Sequence, residues 1–142
     1  MTFTEEKKDI FEYQDTWKEE PFYYAHCISA DYALGAGIAK EFKKRFKLNN
    51  NNLIAGKVNP SLSIVSNVFN LITKKLYWQK PTYQSLQDSL DSMKKSSIAL
   101  GVKKLIMPKI GCGLDRLSWG TVRKMIKDTF KDTDIDIIIC YI

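Results

Sequence analysis

Cysteine, histidine and long apolar runs are all scarce in this chain. The three cysteines, Cys27, Cys112 and Cys140, are odd in number, widely spaced and form no CxxC pair. That argues against a disulfide framework and against a structural zinc, and it points to a reducing compartment. No metal site and no cofactor are expected. The longest apolar run, Ile137 to Ile142, is far too short to span a bilayer, and the opening MTFTEEKKDI lacks the apolar core of a signal peptide. A soluble intracellular protein with no membrane partner is expected, cytoplasmic or, in a eukaryote, nuclear. Seven glycines and four prolines form no rich tract, so disorder is not expected beyond the ends.

The chain has 142 residues, 44% of them apolar and 27% charged, which suits one soluble domain over 1–142 with its own core. A monomer is expected. Lysine and arginine exceed the acids by 22 to 16, a net charge of +6, which favours an anionic partner without naming it. Part of the excess lies in IAKEFKKRFK. There Lys40, Lys43, Lys44 and Lys47 share one helical face, and Ile38, Phe42 and Phe46 another. A solvated helix face is the plainer reading, and a nucleic-acid stripe stays open.

Strand and helix patterns alternate along the chain. FYYAHCIS (22–29) reads as a buried strand, followed by the glycine loop ADYALGAG and the amphipathic helix. NNNN (49–52) reads as a polar surface connection, and the stretch from Leu62 to Thr73 as one imperfect strand ending at Lys74. A helix then begins with Thr82 as N-cap, carries the apolar stripe Tyr83, Leu86, Leu90 and Met93, and stops at Gly101. KLIM (104–107) is a short strand, Val122 to Phe130 a helix, and DIDIIICYI a closing buried strand. This alternation predicts an α/β layered fold with much of its sheet parallel.

Two loops share one grammar. LGAGIA (34–39) and IGCGLD (110–115) each follow a strand and precede a helix, where backbone amides and a helix N-terminus can face an anion. In open α/β sheets, ligands bind at the carboxyl ends of the strands, and both loops lie there. Glycines that merely make tight turns are the competing reading. Lys74, at the end of a strand on the same edge, is either a solvated flank or a site residue, with Lys75 and Lys80 as rivals. Asp115, after the second loop, is either an acid that gains from the helix N-terminal dipole or the misfit of a loop that with its partner could grip a diphosphate. Beside a diphosphate an acid is repelled, so it suggests chemistry or a sugar hydroxyl. His26, the only histidine, lies within a strand and reads as a core residue. Cys112 reads as loop lining.

HCISADYALGAGIAKEFKKRF, NLITKK, KPTYQSLQ and MPKIGCGLDRLSW together resemble the macrodomain family, in its terminal ADP-ribose protein glycohydrolase branch. The resemblance runs from about Ala25 to the C-terminus. It implies a three-layer α/β/α sandwich with a central mixed sheet and ADP-ribose across the carboxyl edges. It implies that Asp9, with Ile10 beside it, contacts the adenine amino group, and that Ser29, Gly35, Ala36 and Gly37 wrap the distal ribose and diphosphate. Lys109, Ile110, Gly111, Cys112, Gly113 and Leu114 would form the second phosphate loop, with Lys74 and Asp115 as the catalytic pair. The chain has CISAD where the other large hydrolytic branch carries an NAAN-type motif, which points away from catalysis by substrate-bound water alone. The implied activity is removal of ester-linked mono-ADP-ribose from glutamate or aspartate, with deacylation of O-acetyl-ADP-ribose, through a covalent lysyl intermediate. The alternatives are a non-catalytic ADP-ribose reader, an ADP-ribose 1″-phosphate phosphatase and a hydrolase acting on ADP-ribosylated DNA. Implied partners are ADP-ribose, ADP-ribosylated proteins and, as an open case, ADP-ribosylated nucleic acid.

Overall fold

The computed structural model describes residues 1–142. Seven strands form one sheet: β1 (Thr2–Lys7), β2 (Tyr23–Ser29), β3 (Lys57–Asn59), β4 (Leu62–Val65), β5 (Val68–Lys74), β6 (Lys104–Met107) and β7 (Asp136–Tyr141). Their order is β1-β7-β6-β2-β5-β4-β3. β1, β7, β6, β2 and β5 run parallel, and β4 and β3 add antiparallel pairs at one edge. Four α-helices, α1 (Gly37–Phe46), α2 (Asn50–Ala55), α3 (Tyr83–Leu100) and α4 (Trp119–Phe130), and a 3₁₀ segment, Ile10–Thr16, cover the faces. None is long and apolar enough to cross a membrane.

The strands show why the sheet separates two cores. β5 reads VFNLITK and buries every residue from Val68 to Thr73, as a central strand covered on both faces must. Phe69 and Leu71 pack with Leu86, Leu90 and Met93 of α3 and with Val122, Ile126 and Phe130 of α4. On the other face Val68 and Ile72 join Phe42 of α1, Leu53 of α2, and Phe11 and Tyr13 of the 3₁₀ segment. Three layers result: helices, mixed sheet, helices.

Several expectations are corrected. The single strand from Leu62 to Thr73 is a hairpin, β4 to β5, turning at Ser66 and Asn67 with Ser66 in the left-handed region (φ 52). The asparagine run starts a helix. Asn49 caps α2 by accepting from the Asn52 amide at 2.9 Å, and the Asn52 side chain accepts from the Asn49 amide at 2.8 Å, a reciprocal capping box. The polar TFTEEK, which has no apolar strand pattern, forms β1, because an edge position pairs it only with β7 and leaves charged residues in solvent. Tyr83 leaves the apolar stripe: in the first turn of α3 it is exposed, and its hydroxyl accepts the Ser118 amide at 3.0 Å. Lys47 terminates α1 in the left-handed conformation instead of extending its lysine face.

Candidate active site

β2, β5 and β6 are neighbours and parallel, so their carboxyl ends open on one edge. A cavity of about 870 Å³ lies there, lined by both glycine loops and by the ends of all three strands. In its lining Lys74 Nζ lies 2.7 Å from Asp115 Oδ1, and each side chain keeps about a sixth of its surface exposed (15% and 17%). β5 delivers the lysine. The loop between β6 and α4 delivers the aspartate, 41 residues further on.

The first loop is held by Asp31. Its carboxylate accepts from the Ser29 hydroxyl at 2.5 Å, the Ala33 amide at 3.2 Å and the Tyr77 amide at 2.9 Å. Burial works against its charge, but those three donors outweigh it and hold the carboxyl below its usual range. Tyr32 and Leu34 both take positive φ (58 and 41), backbone strain that collects where a loop is shaped for a ligand. α1 then begins at Gly37 without a side-chain cap at Ala36, which leaves its first amides facing the cavity end of the helix.

The second loop is tied at both ends. The Leu117 amide donates to the Gly111 carbonyl at 2.7 Å, and the Arg116 amide to Gly113 at 3.2 Å. Gly111 has φ 71, and a Cβ there would lie 2.9 Å from Leu117 Cδ1, so conformation and space both require glycine. Gly113 differs: a Cβ would meet nothing of the protein within 4 Å. Over the middle of the loop, Lys80 Nζ donates to the Leu114 carbonyl at 3.1 Å.

Of the residues singled out from the sequence, Ser29, Gly35, Ala36, Gly37, Lys74, Lys109, Ile110, Gly111, Gly113, Leu114 and Asp115 line this one cavity. Cys112 does not. Its thiol bonds back to the Ile110 carbonyl at 3.3 Å and packs on the α3 and α4 core, and burial pushes its pKa up. Asp9 and Ile10 also lie outside the lining: the Asp9 carboxylate caps the 3₁₀ segment by accepting from the Phe11 amide at 3.0 Å, and Ile10 is buried, its carbonyl accepting from the Tyr24 hydroxyl at 2.8 Å. Lys109 is turned to the flank, with Nζ 4.6 Å from the Tyr141 ring.

Other residues at or around the cavity are not picked out as site residues in the sequence. Asp31 is one, although Asp two residues after a strand-end serine is a recognisable turn signal. Cys27 is another, in the wall of the same cavity as Lys74. Burial, with Asp115 nearby, pushes its thiol up to about 12, so it stays protonated at neutral pH and is a poor nucleophile. No three His, Cys, Asp or Glu side chains gather into a metal-binding group.

No family model matches the chain. Proteins called ADP-ribose glycohydrolase OARD1 are similar to it in sequence. The one from Homo sapiens is 47% identical over 119 residues, covering 81% of this chain and 78% of that protein. The one from Bos taurus is 45% identical over 118 residues, covering 80% and 78%. In structure it resembles the macrodomain of Mycobacterium tuberculosis DarG (TM-score 0.82, 18% identity, covering 98% of this chain and 97% of that one). It also resembles Thermosipho africanus DarTG in complex with ADP-ribose (TM-score 0.69, 15% identity, covering 99% and 41%). The architecture is thus that of a macrodomain. With relatives this close over most of its length, the chain belongs to the macrodomain family, in the terminal ADP-ribose protein glycohydrolase branch.

Proposed function

We propose that this protein is an ADP-ribosyl hydrolase that releases mono-ADP-ribose from ester linkages to glutamate or aspartate and deacylates O-acetyl-ADP-ribose. The carrying observation is the 2.7 Å contact of Lys74 Nζ with Asp115 Oδ1 at the point where both glycine loops converge. A reader of ADP-ribose needs the loops; it has no use for an amine and a carboxylate in contact in the cavity lining. The names of the human and bovine relatives, ADP-ribose glycohydrolase, support the hydrolase part of this reading.

The amine attacks only when neutral, and Asp115 is the nearest acceptor for its proton. Nζ then bonds the anomeric carbon of the distal ribose while the carbon–oxygen bond to the ester breaks, its electron pair leaving on the carboxylate. Asp115 returns its proton to the departing side and accepts the second proton from Nζ. The resulting lysyl glycosylamine opens to an imine, water adds to the anomeric carbon, and the carbon–nitrogen bond breaks. Lys74 leaves as an amine with a proton from Asp115. A carboxylate leaves readily, which fits a site with one proton-transfer group. When the acetyl group of O-acetyl-ADP-ribose is on the anomeric oxygen, the same attack breaks the C1″–O bond and expels acetate.

The test is turnover of a glutamyl-ADP-ribosylated protein and of O-acetyl-ADP-ribose by the parent protein and by Asp115→Asn. Release of ADP-ribose from both by the parent, with about a thousandfold loss in the variant, is expected. Tight ADP-ribose binding without release from either identifies a reader, and phosphate release from ADP-ribose 1″-phosphate identifies a phosphatase.

A further inference from the structure

Between β5 and α3 the chain makes a tight turn with large aromatics at its tip. The Gln79 amide donates to the Leu76 carbonyl at 3.0 Å, and the Gln79 side chain accepts from the Leu76 amide at 2.9 Å. Tyr77 and Trp78 therefore occupy the two central positions, where Gly, Pro, Asn, Asp and Ser are the usual occupants. They are 65% and 67% exposed. Asp31 fixes the Tyr77 amide from the first glycine loop, so the pair is presented on a fixed backbone. Single exposed apolar residues need no explanation. Here Ile38, Tyr77, Trp78 and Leu114 are all exposed around the mouth of one cavity, which is the arrangement of a binding surface.

The turn begins at Leu76, two residues after Lys74, so the aromatic pair lines the same cavity as the amine and stands close to it along the chain. Lys75, next in the chain, is exposed and has no carboxylate partner. We propose that Tyr77, Trp78 and Lys75 form an acceptor subsite that holds the polypeptide around the modified residue, with a preference for acidic sequence. This rests on Lys74 and Asp115 being the reacting pair. A modified glutamate or aspartate has its backbone only a few bonds from the bond that breaks, so its neighbours must cross this rim. Rigid aromatic anchors hold a peptide at low cost in conformational freedom. The unpaired lysine complements acidic flanks.

The experiment compares two substrates whose ADP-ribose is the same and whose leaving groups differ: a glutamyl-ADP-ribosylated acidic peptide and O-acetyl-ADP-ribose. For the combined Tyr77→Ala and Trp78→Ala variant, the ratio of kcat/KM for peptide over O-acetyl-ADP-ribose falls about tenfold, the scale of truncating an aromatic anchor, with the change in KM. Lys75→Glu lowers the same ratio. An unchanged ratio overturns the proposal, whether both rates fall together or neither moves. A loss confined to an ADP-ribosylated oligonucleotide overturns it in favour of a nucleobase platform. Affinity provides an arm independent of turnover. In Lys74→Ala protein the ADP-ribosylated peptide binds more tightly than free ADP-ribose, and removing the aromatics erases the difference. If the parent hydrolyses neither substrate yet this difference is found, the hydrolase reading fails and the subsite stands; if the difference is absent, the subsite fails.

Discussion

Two polar pairs hang from β5, and their distances are nearly the same. His26 Nε2 lies 2.6 Å from Asn70 Oδ1, and Lys74 Nζ lies 2.7 Å from Asp115 Oδ1. Their surroundings differ. His26 and Asn70 are register partners on β2 and β5 and are fully buried, with the imidazole stacked on Phe42 at 4.1 Å. The Asn70 amide nitrogen donates to the Ser63 carbonyl at 3.1 Å, which turns its oxygen toward His26 and makes Nε2 the donor. Nδ1 then carries the lone pair and has no partner. Burial drives the imidazole down to about 4, against the Asn70 hydrogen bond. The first pair is neutral, buried and structural. The second is charged, partly exposed and open to a ligand.

This difference can be broken at several points. The largest effect is on the charged pair: Lys74→Ala lowers ester hydrolysis about a thousandfold, read by ADP-ribose release, with a smaller shift in melting than any change at His26. On the neutral pair, His26→Ala costs about 3 kcal/mol through a core cavity and an unpaired Asn70 oxygen, read by urea unfolding, while the folded fraction keeps its kcat. The same pair gives stability a pH dependence. Between about 4 and the ordinary 6.5 the unfolded chain binds a proton at His26 that the folded chain does not. Stability at His26 is therefore complete above 6.5, falls as pH drops toward 4, and is level below it. His26→Gln flattens that slope; a slope that persists unchanged places its origin elsewhere.

Within the second glycine loop the contrast is sharper. Gly111→Ala costs about 1–2 kcal/mol, from positive φ and the Leu117 contact, read as a lower melting temperature. Gly113→Ala leaves melting within about 0.5 kcal/mol and weakens ADP-ribose binding, since only a ligand competes for the space its methyl takes. Equal melting for the two variants contradicts this division. The smallest effect is at Lys80: Lys80→Met removes the Leu114 bond and lowers kcat about fivefold, the worth of one hydrogen bond, and Lys80→Arg restores most of it.

The layered fold is readable from the sequence because strand-like apolar runs alternate with helical patterns, and α3 carries its own periodicity and caps, Thr82 and Gly101. The hairpin at Ser66 and Asn67 is hidden because apolar residues continue on both sides of it, and a left-handed serine leaves no strong mark. α2 hides behind an asparagine run, although Asn49 and Asn52 are spaced as a capping box. At the site, both glycine loops and the Lys74–Asp115 pair are foreseen as belonging to one edge. The 2.7 Å contact across 41 residues exists only once β5 and β6 are placed on either side of β2. The Tyr77–Trp78 rim has no periodic signal, since it lies in a turn whose side-chain types are unusual for turns.

The central claim is that Lys74 becomes covalently bound to the sugar. The direct measurement is intact mass after a glutamyl-ADP-ribosylated substrate is mixed with the protein under a reducing agent that traps imines, followed by mapping of the modified residue. The account predicts an ADP-ribosyl adduct on Lys74 that is absent from Lys74→Arg. Full turnover by Lys74→Ala, or an adduct on Lys75 or Lys80 in its place, contradicts it.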